Sequence, residues 1–145
     1  MSVRTVAMLL VPVLTLAGAA VCDAATLDYE YFKAKVQPIF LAKRPGHAPC
    51  VMCHAEANNM LRLQKLPRGQ GAWDEADTRK NFDTVSKIIE AADEPLQSKI
   101  LKHPLAPEAG GDAFHNGGRQ FADKNDPDWK TIAAWATGAT LTKEK

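Results

Sequence analysis

Three cysteines among 145 residues are too few for a fold built on disulfides. They stand at Cys22, Cys50 and Cys53. A structural zinc site takes four ligands, usually from two close pairs, and here the second pair is missing. Strand signals are also scarce. No β-branched alternating run flanks Cys50 and Cys53, so the βαβ setting of a thioredoxin-like redox pair is absent. Charge of neither sign prevails: 18 Lys and Arg face 17 Asp and Glu, with no basic stripe, and nucleic-acid binding has no support. Internal repeats and low-complexity tracts are lacking. The longest apolar run, Val6 to Leu16, falls well short of the roughly 20 residues that a spanning helix needs.

That short run has another meaning. Arg4 precedes it, and small residues follow: Ala17, Gly18, Ala19, Ala20, Ala24 and Ala25. Charged start, apolar core and small-residue end are the order of a secretory signal peptide. Residues 1–24 are therefore expected to be cleaved after Ala24, leaving 25–145 as one domain in the periplasm. An uncleaved anchor is one alternative. Lipidation of Cys22 is another, but Val21 stands where that processing favours a small residue, so Cys22 is expected to leave with the signal. The mature chain would then keep only Cys50 and Cys53.

Those two belong to the run Cys50-Val51-Met52-Cys53-His54, a C-x-x-C-H pattern. It is the attachment signature of a c-type haem. Two thiols add to the vinyl groups of the porphyrin as thioethers, and the histidine that follows lies on one face as an axial iron ligand. One such motif means one haem, covalently held, with its iron. Export agrees with this, because c-type attachment takes place outside the cytoplasmic membrane.

The rest of the chain reads as helix and loop, giving an all-α fold class. Asp28 can cap a helix whose apolar positions Tyr29, Phe32, Val36, Ile39 and Phe40 share one face, with Pro38 expected to kink or split it. A loop from Arg44 to Pro49 delivers the chain to Cys50, and a short helical turn carrying Cys53, His54 and Met60 is expected next. Phe82, Val85, Ile88 and Ile89 mark a further helix. Asp93 is expected to cap a short one through Leu101, stopped by Pro104. A long irregular segment runs from Leu105 to Asn125. Asp126-Pro127 then starts a last helix, with Trp129, Ile132, Ala133 and Ala136 inward and Gly138 at its end. Trp73, Trp129, Trp135, Phe114 and Phe121 are read first as core aromatics and second as lining of a haem pocket.

With these residues in view, the chain resembles class I monohaem cytochrome c domains of exported bacterial proteins. The segment Lys35 to Phe40 leading into Cys50–His54 is similar to their V-x-P-I lead-in, and the tail from Trp129 through Trp135 to Gly138-Ala139 is similar to their closing W-x-x-G-A helix. The resemblance implies a small helical domain wrapped around one covalent haem, with long loops and with the N- and C-terminal helices crossing. It also implies outer-sphere electron transfer without substrate turnover. Implied partners are other redox proteins or a membrane respiratory or dehydrogenase complex, met through small transient interfaces.

One departure from that family stands out: no methionine lies beyond Met60. The usual distal methionine, in the loop before the last helix, is missing. Met52 lies inside the attachment loop, and Met60 is too close to His54 along the chain to wrap round a porphyrin comfortably. His115 occupies the expected place, within Gly110-Gly111-Asp112-Ala113-Phe114-His115-Asn116-Gly117-Gly118, and that segment is similar to the H-x-G-G loops of some bacterial monohaem domains. His115 is the expected distal ligand and His103 the runner-up, while His47 is expected to be a solvated loop residue. The competing reading is that His115 packs at the haem edge or bonds a propionate. Bis-histidine ligation would lower the potential relative to His/Met cytochromes. The rival function is a haem enzyme or gas sensor, peroxidase-like, with an open or displaceable sixth site and with Asn116, Asp112 or Arg119 as distal polar groups.

Overall fold

The computed structural model describes residues 26–141. The expected signal sequence and Cys22 lie outside the described residues. Among those described there is no strand, only isolated bridges at Ala55–Leu63 and Leu105–Phe121, and the fold is helical. No described helix is long and apolar enough to cross a membrane.

Asp28 caps the first helix, α1 (Tyr29–Tyr31), its carboxylate accepting from the Tyr31 N–H. The helical path then changes pitch twice. Phe32–Val36 is a π turn and Gln37–Phe40 a 3-10 turn. Pro38 brings no N–H to an α-ladder, and the chain responds by changing its hydrogen-bond register while continuing to coil. The result keeps Phe32, Val36, Ile39 and Phe40 all buried.

The remaining α-helices are α2 (Cys50–His54), α3 (Glu75–Glu90), α4 (Lys99–Lys102) and α5 (Pro127–Ala136), with 3-10 turns at Pro95–Gln97 and Pro107–Ala109. Asp74 caps α3 by accepting from the Asp77 N–H, and Asp126 caps α5 by accepting from Asp128 and Trp129. The expectation for Asp93 gives way here. Glu94 precedes the 3-10 turn Pro95–Gln97, and Ser98 precedes α4, so the short helix is two pieces. Met60 also lies off α2, because the chain leaves the helix after His54 through Glu56, a left-handed residue at φ 55° that reverses its direction.

The core forms where α5 meets the start of the chain. Trp135 is fully buried, its ring 5.2 Å from Phe32 and 5.9 Å from Phe82, and its indole N–H donates to the Asp28 carbonyl at 2.8 Å. Trp129 donates to the Leu101 carbonyl at 3.1 Å, tying α5 to α4. A buried polar chain runs beside this core. The Gln37 amide donates to Thr78, Asn81 donates back to Gln37, and the Gln64 N–H donates to Asn81 at 2.7 Å. Every member of that chain has a partner, which keeps its burial from being costly.

Removing the Trp135 ring should therefore leave a cavity and take one of two donors from the Asp28 carbonyl, which keeps the Phe32 N–H. Trp135→Ala is expected to cost about 3–5 kcal/mol, against about 1 kcal/mol for loss of the cap in Asp28→Ala. Urea unfolding midpoints of the two variants would show whether that order holds.

Candidate functional site

A cleft of about 460 Å³ opens between α2 and the loop that precedes α5. That volume lies in the range of roughly 300–1,000 Å³ typical of ligand sites. Its floor is apolar: Ile39, Phe40, Ile88, Ile100, Phe121 and Ile132, drawn from the 3-10 turn, α3, α4, the distal loop and α5. One wall carries Cys50, Cys53 and His54, and the opposite wall carries His103, Pro104 and His115. Met60 and Phe114 border the cleft and are 61% and 72% exposed, an apolar rim in water.

On the first wall, α2 turns once and sets the motif's three functional side chains along the cleft. Cys50 is half-buried and Cys53 exposed, and the two are not joined in a disulfide. Burial raises the Cys50 thiol above its ordinary pKa, with Arg44 pulling the other way. Behind His54 the chain returns on itself. The Leu63 N–H donates to the His54 carbonyl and the Glu56 N–H to the Leu63 carbonyl, both at 2.9 Å. This return brings the Leu61 carbonyl to 2.9 Å from His54 Nδ1. A carbonyl only accepts, so Nδ1 carries the proton, and in the neutral ring Nε2 keeps its lone pair.

The second wall repeats the device. His115 Nδ1 donates to the Gly118 carbonyl at 2.6 Å, which again leaves Nε2 as the basic nitrogen. Burial lowers the His115 pKa, helped by the neighbouring His103 and His54 and opposed by the Gly118 carbonyl. The loop can bring a ring so close because of its glycines. A Cβ on Gly117 would stand 3.2 Å from the His115 ring, and one on Gly118 would stand 3.2 Å from His47. Gly118 is left-handed as well, at φ 76°.

The rings of His54 and His115 lie 6.4 Å apart between centroids, with planes only 19° from parallel. First-row metals bind imidazole nitrogen at about 2.0–2.1 Å, so two such bonds in line place the ring centroids about 6 Å apart. A donor set of two thiols and two imidazoles on facing walls of an apolar cleft thus fits a flat, iron-centred group. No cluster of three or more His, Cys, Asp or Glu side chains able to hold a bare metal ion occurs among the described residues.

His103 stands beside this pair. Its ring is edge-on to His115 at 5.0 Å, and its Nδ1 is 2.8 Å from Asp112, which also receives Lys99 at 2.9 Å. Several other participants carried no motif. His47, expected in solvent, is half-buried against Gly118, and the Gln120 amide donates to both Ala48 and Gly117, closing one edge of the cleft. Arg44 pairs with Asp126 and Asp128 and lies 4.7 Å over the Phe121 ring, fixing the loop that leads into Cys50. The tryptophans are core: Trp73, Trp129 and Trp135 are buried but do not line the cleft, whereas Phe114 and Phe121 do.

Comparison with protein-family models, curated proteins and solved structures gave no match. The reading of this site accordingly stands on its own residues.

Two outcomes follow from the distal loop. A Cβ on Gly111 would fall 1.9 Å from the Leu105 carbonyl oxygen, whereas one on Gly71 meets nothing within 4 Å. Gly111→Ala should cost about 1–3 kcal/mol in chemical denaturation, with Gly71→Ala within about 0.5 kcal/mol of the parent. The Lys99 ammonium and the His103 ring hold the Asp112 pKa down from 3.8 to about 2. A carboxylate depressed on folding stabilises the fold above its unfolded value. That contribution should be intact above about pH 4 and lost as pH falls through about 2, which a carbon NMR titration of the Asp112 carboxyl would read directly.

Proposed function

We propose that this chain is an exported, class I-like monohaem cytochrome c domain that transfers electrons through one covalently bound haem. The observation that carries the reading is the facing pair His54 and His115, at metal-bridging separation across the cleft that Cys50 and Cys53 line. Bound there, the haem would supply a one-electron iron couple.

Everything else is the work of the chain. Cys50 and Cys53 would hold the group covalently as thioethers, and His54 and His115 would offer it their imidazoles from the two walls. The carbonyls of Leu61 and Gly118 fix the ligating tautomer of each ring and make it more electron-rich, as outer partners of metal-bound histidines do. The isoleucine and phenylalanine floor keeps water from the buried side. The exposed rim at Met60 and Phe114 offers a small apolar contact for a redox partner. Export rests on the sequence of residues 1–24 alone.

A second reading, a haem enzyme or gas sensor with a displaceable sixth ligand, is favoured by one feature. The segment from Ala113 to Gly117 that bears His115 is hydrogen-bonded only within itself and to Gly118 and Gln120. Rapid carbon monoxide binding by the reduced protein would select this reading, and slow binding the carrier.

The primary test is production alongside a c-type maturation system, followed by mass measurement and oxidised and reduced spectra. The expected result is one added haem, lost when both thiols are replaced (Cys50→Ala with Cys53→Ala), and a low-spin six-coordinate spectrum. His115→Ala should lose that spectrum and His103→Ala should keep it. The opposite pattern in the two histidine variants would remove His115 from the iron, and a protein without covalent haem would end the cytochrome reading.

A further inference from the structure

We propose that Asp112 is the positioning residue of the distal ligand, holding the His115 ring in line with His54 by fixing the His103 ring against it; this deepens the haem reading and rests on it. Asp112 is attached to α4 by both its main chain and its side chain. Its N–H donates to the Lys102 carbonyl at 3.1 Å. One carboxylate oxygen receives Lys99 at 2.9 Å and His103 Nδ1 at 2.8 Å, and the other lies 4.0 Å from the Lys102 ammonium. The residue before it, Gly111, is pressed under the Leu105 carbonyl, where a side chain has no room. The loop is therefore clamped at 111–112, three positions short of His115.

Beyond the clamp the loop is loosely held. It is tied to the body again at Gln120 and Phe121, the latter exchanging hydrogen bonds with Pro104 and Ala106. Among the described residues the tip between these points is bonded outward only through its Gly117 carbonyl, which accepts from the Gln120 amide at 3.1 Å, and Phe114 at its centre points its bulk into water. The His115 ring is held by the Gly118 carbonyl, which belongs to the same tip, and by the edge-on ring of His103 at 5.0 Å. His103 is the nearer of the two rings that approach His115 from outside the tip, His54 lying 6.4 Å away across the cleft. It stands at the end of α4 with its side chain 45% exposed, and its one polar partner is the Asp112 carboxylate. Fixing His103 thus fixes His115.

Magnitudes separate this role from an ordinary surface ion pair. Such a pair adds little to stability and nothing specific to a ligand site. Loss of a residue that orients a metal ligand costs roughly 10–100-fold at the metal. Stability should consequently move little while the distal site moves much.

The experiment compares Asp112→Ala, Asp112→Asn and, as a control distant from the cleft, Asp77→Ala on the α3 surface. Hydrogen exchange of residues 111–118 is followed in both haem-free and haem-loaded protein, and carbon monoxide association in the reduced loaded protein. Asp112→Ala should speed exchange of these amides and raise the association rate roughly 10–100-fold, with unfolding midpoints close to those of the control. Asp112→Asn keeps an oxygen to accept from His103 and should fall between. The proposal is overturned if Asp112→Ala matches the control in exchange, or if exchange rises while carbon monoxide association stays at the parent rate. Absence of covalent haem would instead defeat the cytochrome reading and leave exchange to decide the Asp112 clamp. Should Asp112→Ala fail to fold, parent behaviour of Asp112→Asn in both measurements would overturn the proposal and intermediate behaviour would support it.

Discussion

Two imidazoles from distant parts of the chain, His54 and His115, stand 6.4 Å apart across the cleft, and most of the molecule can be understood as the means of keeping them there. Ring orientation is solved locally and in the same way on both sides, by a backbone carbonyl a few residues downstream that takes the Nδ1 proton: Leu61 for His54, Gly118 for His115. Ring spacing is a different problem, because no local contact can set it. It is set by the body between the walls. The proximal wall is braced by Arg44 against the cap of α5 and by the Gln64–Asn81–Gln37 hydrogen bonds against α3. The distal wall is braced by α4 and by the exchange between Phe121 and Pro104–Ala106. Both sets of braces end on the same core, around Trp135 and Trp129.

This division explains which features could be read from the sequence. Signals that act within a few residues were legible. Asp28 and Asp126 cap helices where a short acceptor before an apolar stripe says they should, and Gly138 ends α5 at φ 96°. Pro38 disturbs its helix, although by a change of pitch in place of a break. The spacing of Cys50, Cys53 and His54 is itself local, and one short helix, α2, carries all three to the cleft. Features that depend on distant partners were not legible. Nothing in His47 says that Gly118 will lie against it, and nothing in Arg44 says that Asp126 will. Asn81 and Thr78 look like ordinary polar residues three apart, and their burial follows only from Gln37 arriving opposite. Met60 was placed on α2 because the reversal at Glu56 uses a left-handed conformation that its residue type does not advertise.

The tryptophans show the same limit from the other side. Large aromatics in a small domain are expected to supply buried area, and all three do, each spending its single N–H on a backbone carbonyl: Gln64, Leu101 and Asp28. A tryptophan so committed knits loops and helix ends to the core. The cleft floor is left to isoleucine and phenylalanine, which have no donor to satisfy and can face a flat apolar surface without loss. Composition alone could not divide the aromatics in this way, because the division follows from which backbone carbonyls the fold brings within reach of each indole.

On the proposed reading, two levers act on the iron in opposite directions. Paired imidazoles, each made more electron-rich by a carbonyl on its Nδ1–H, favour the oxidised iron and lower the potential. An apolar floor of four isoleucines and two phenylalanines disfavours the extra charge of the oxidised state and raises it. The ligand lever should prevail. Axial ligation spans about 0.8 V among haem proteins. The apolar lever is weakened here because the cleft opens to solvent at Met60 and Phe114, both more than half exposed, so the field at the iron is partly screened. The same opening that limits burial brings the group's edge within reach of a partner. A site built to exclude water fully would gain potential and lose that access, and the loose tip carrying Phe114 places this chain on the side of access.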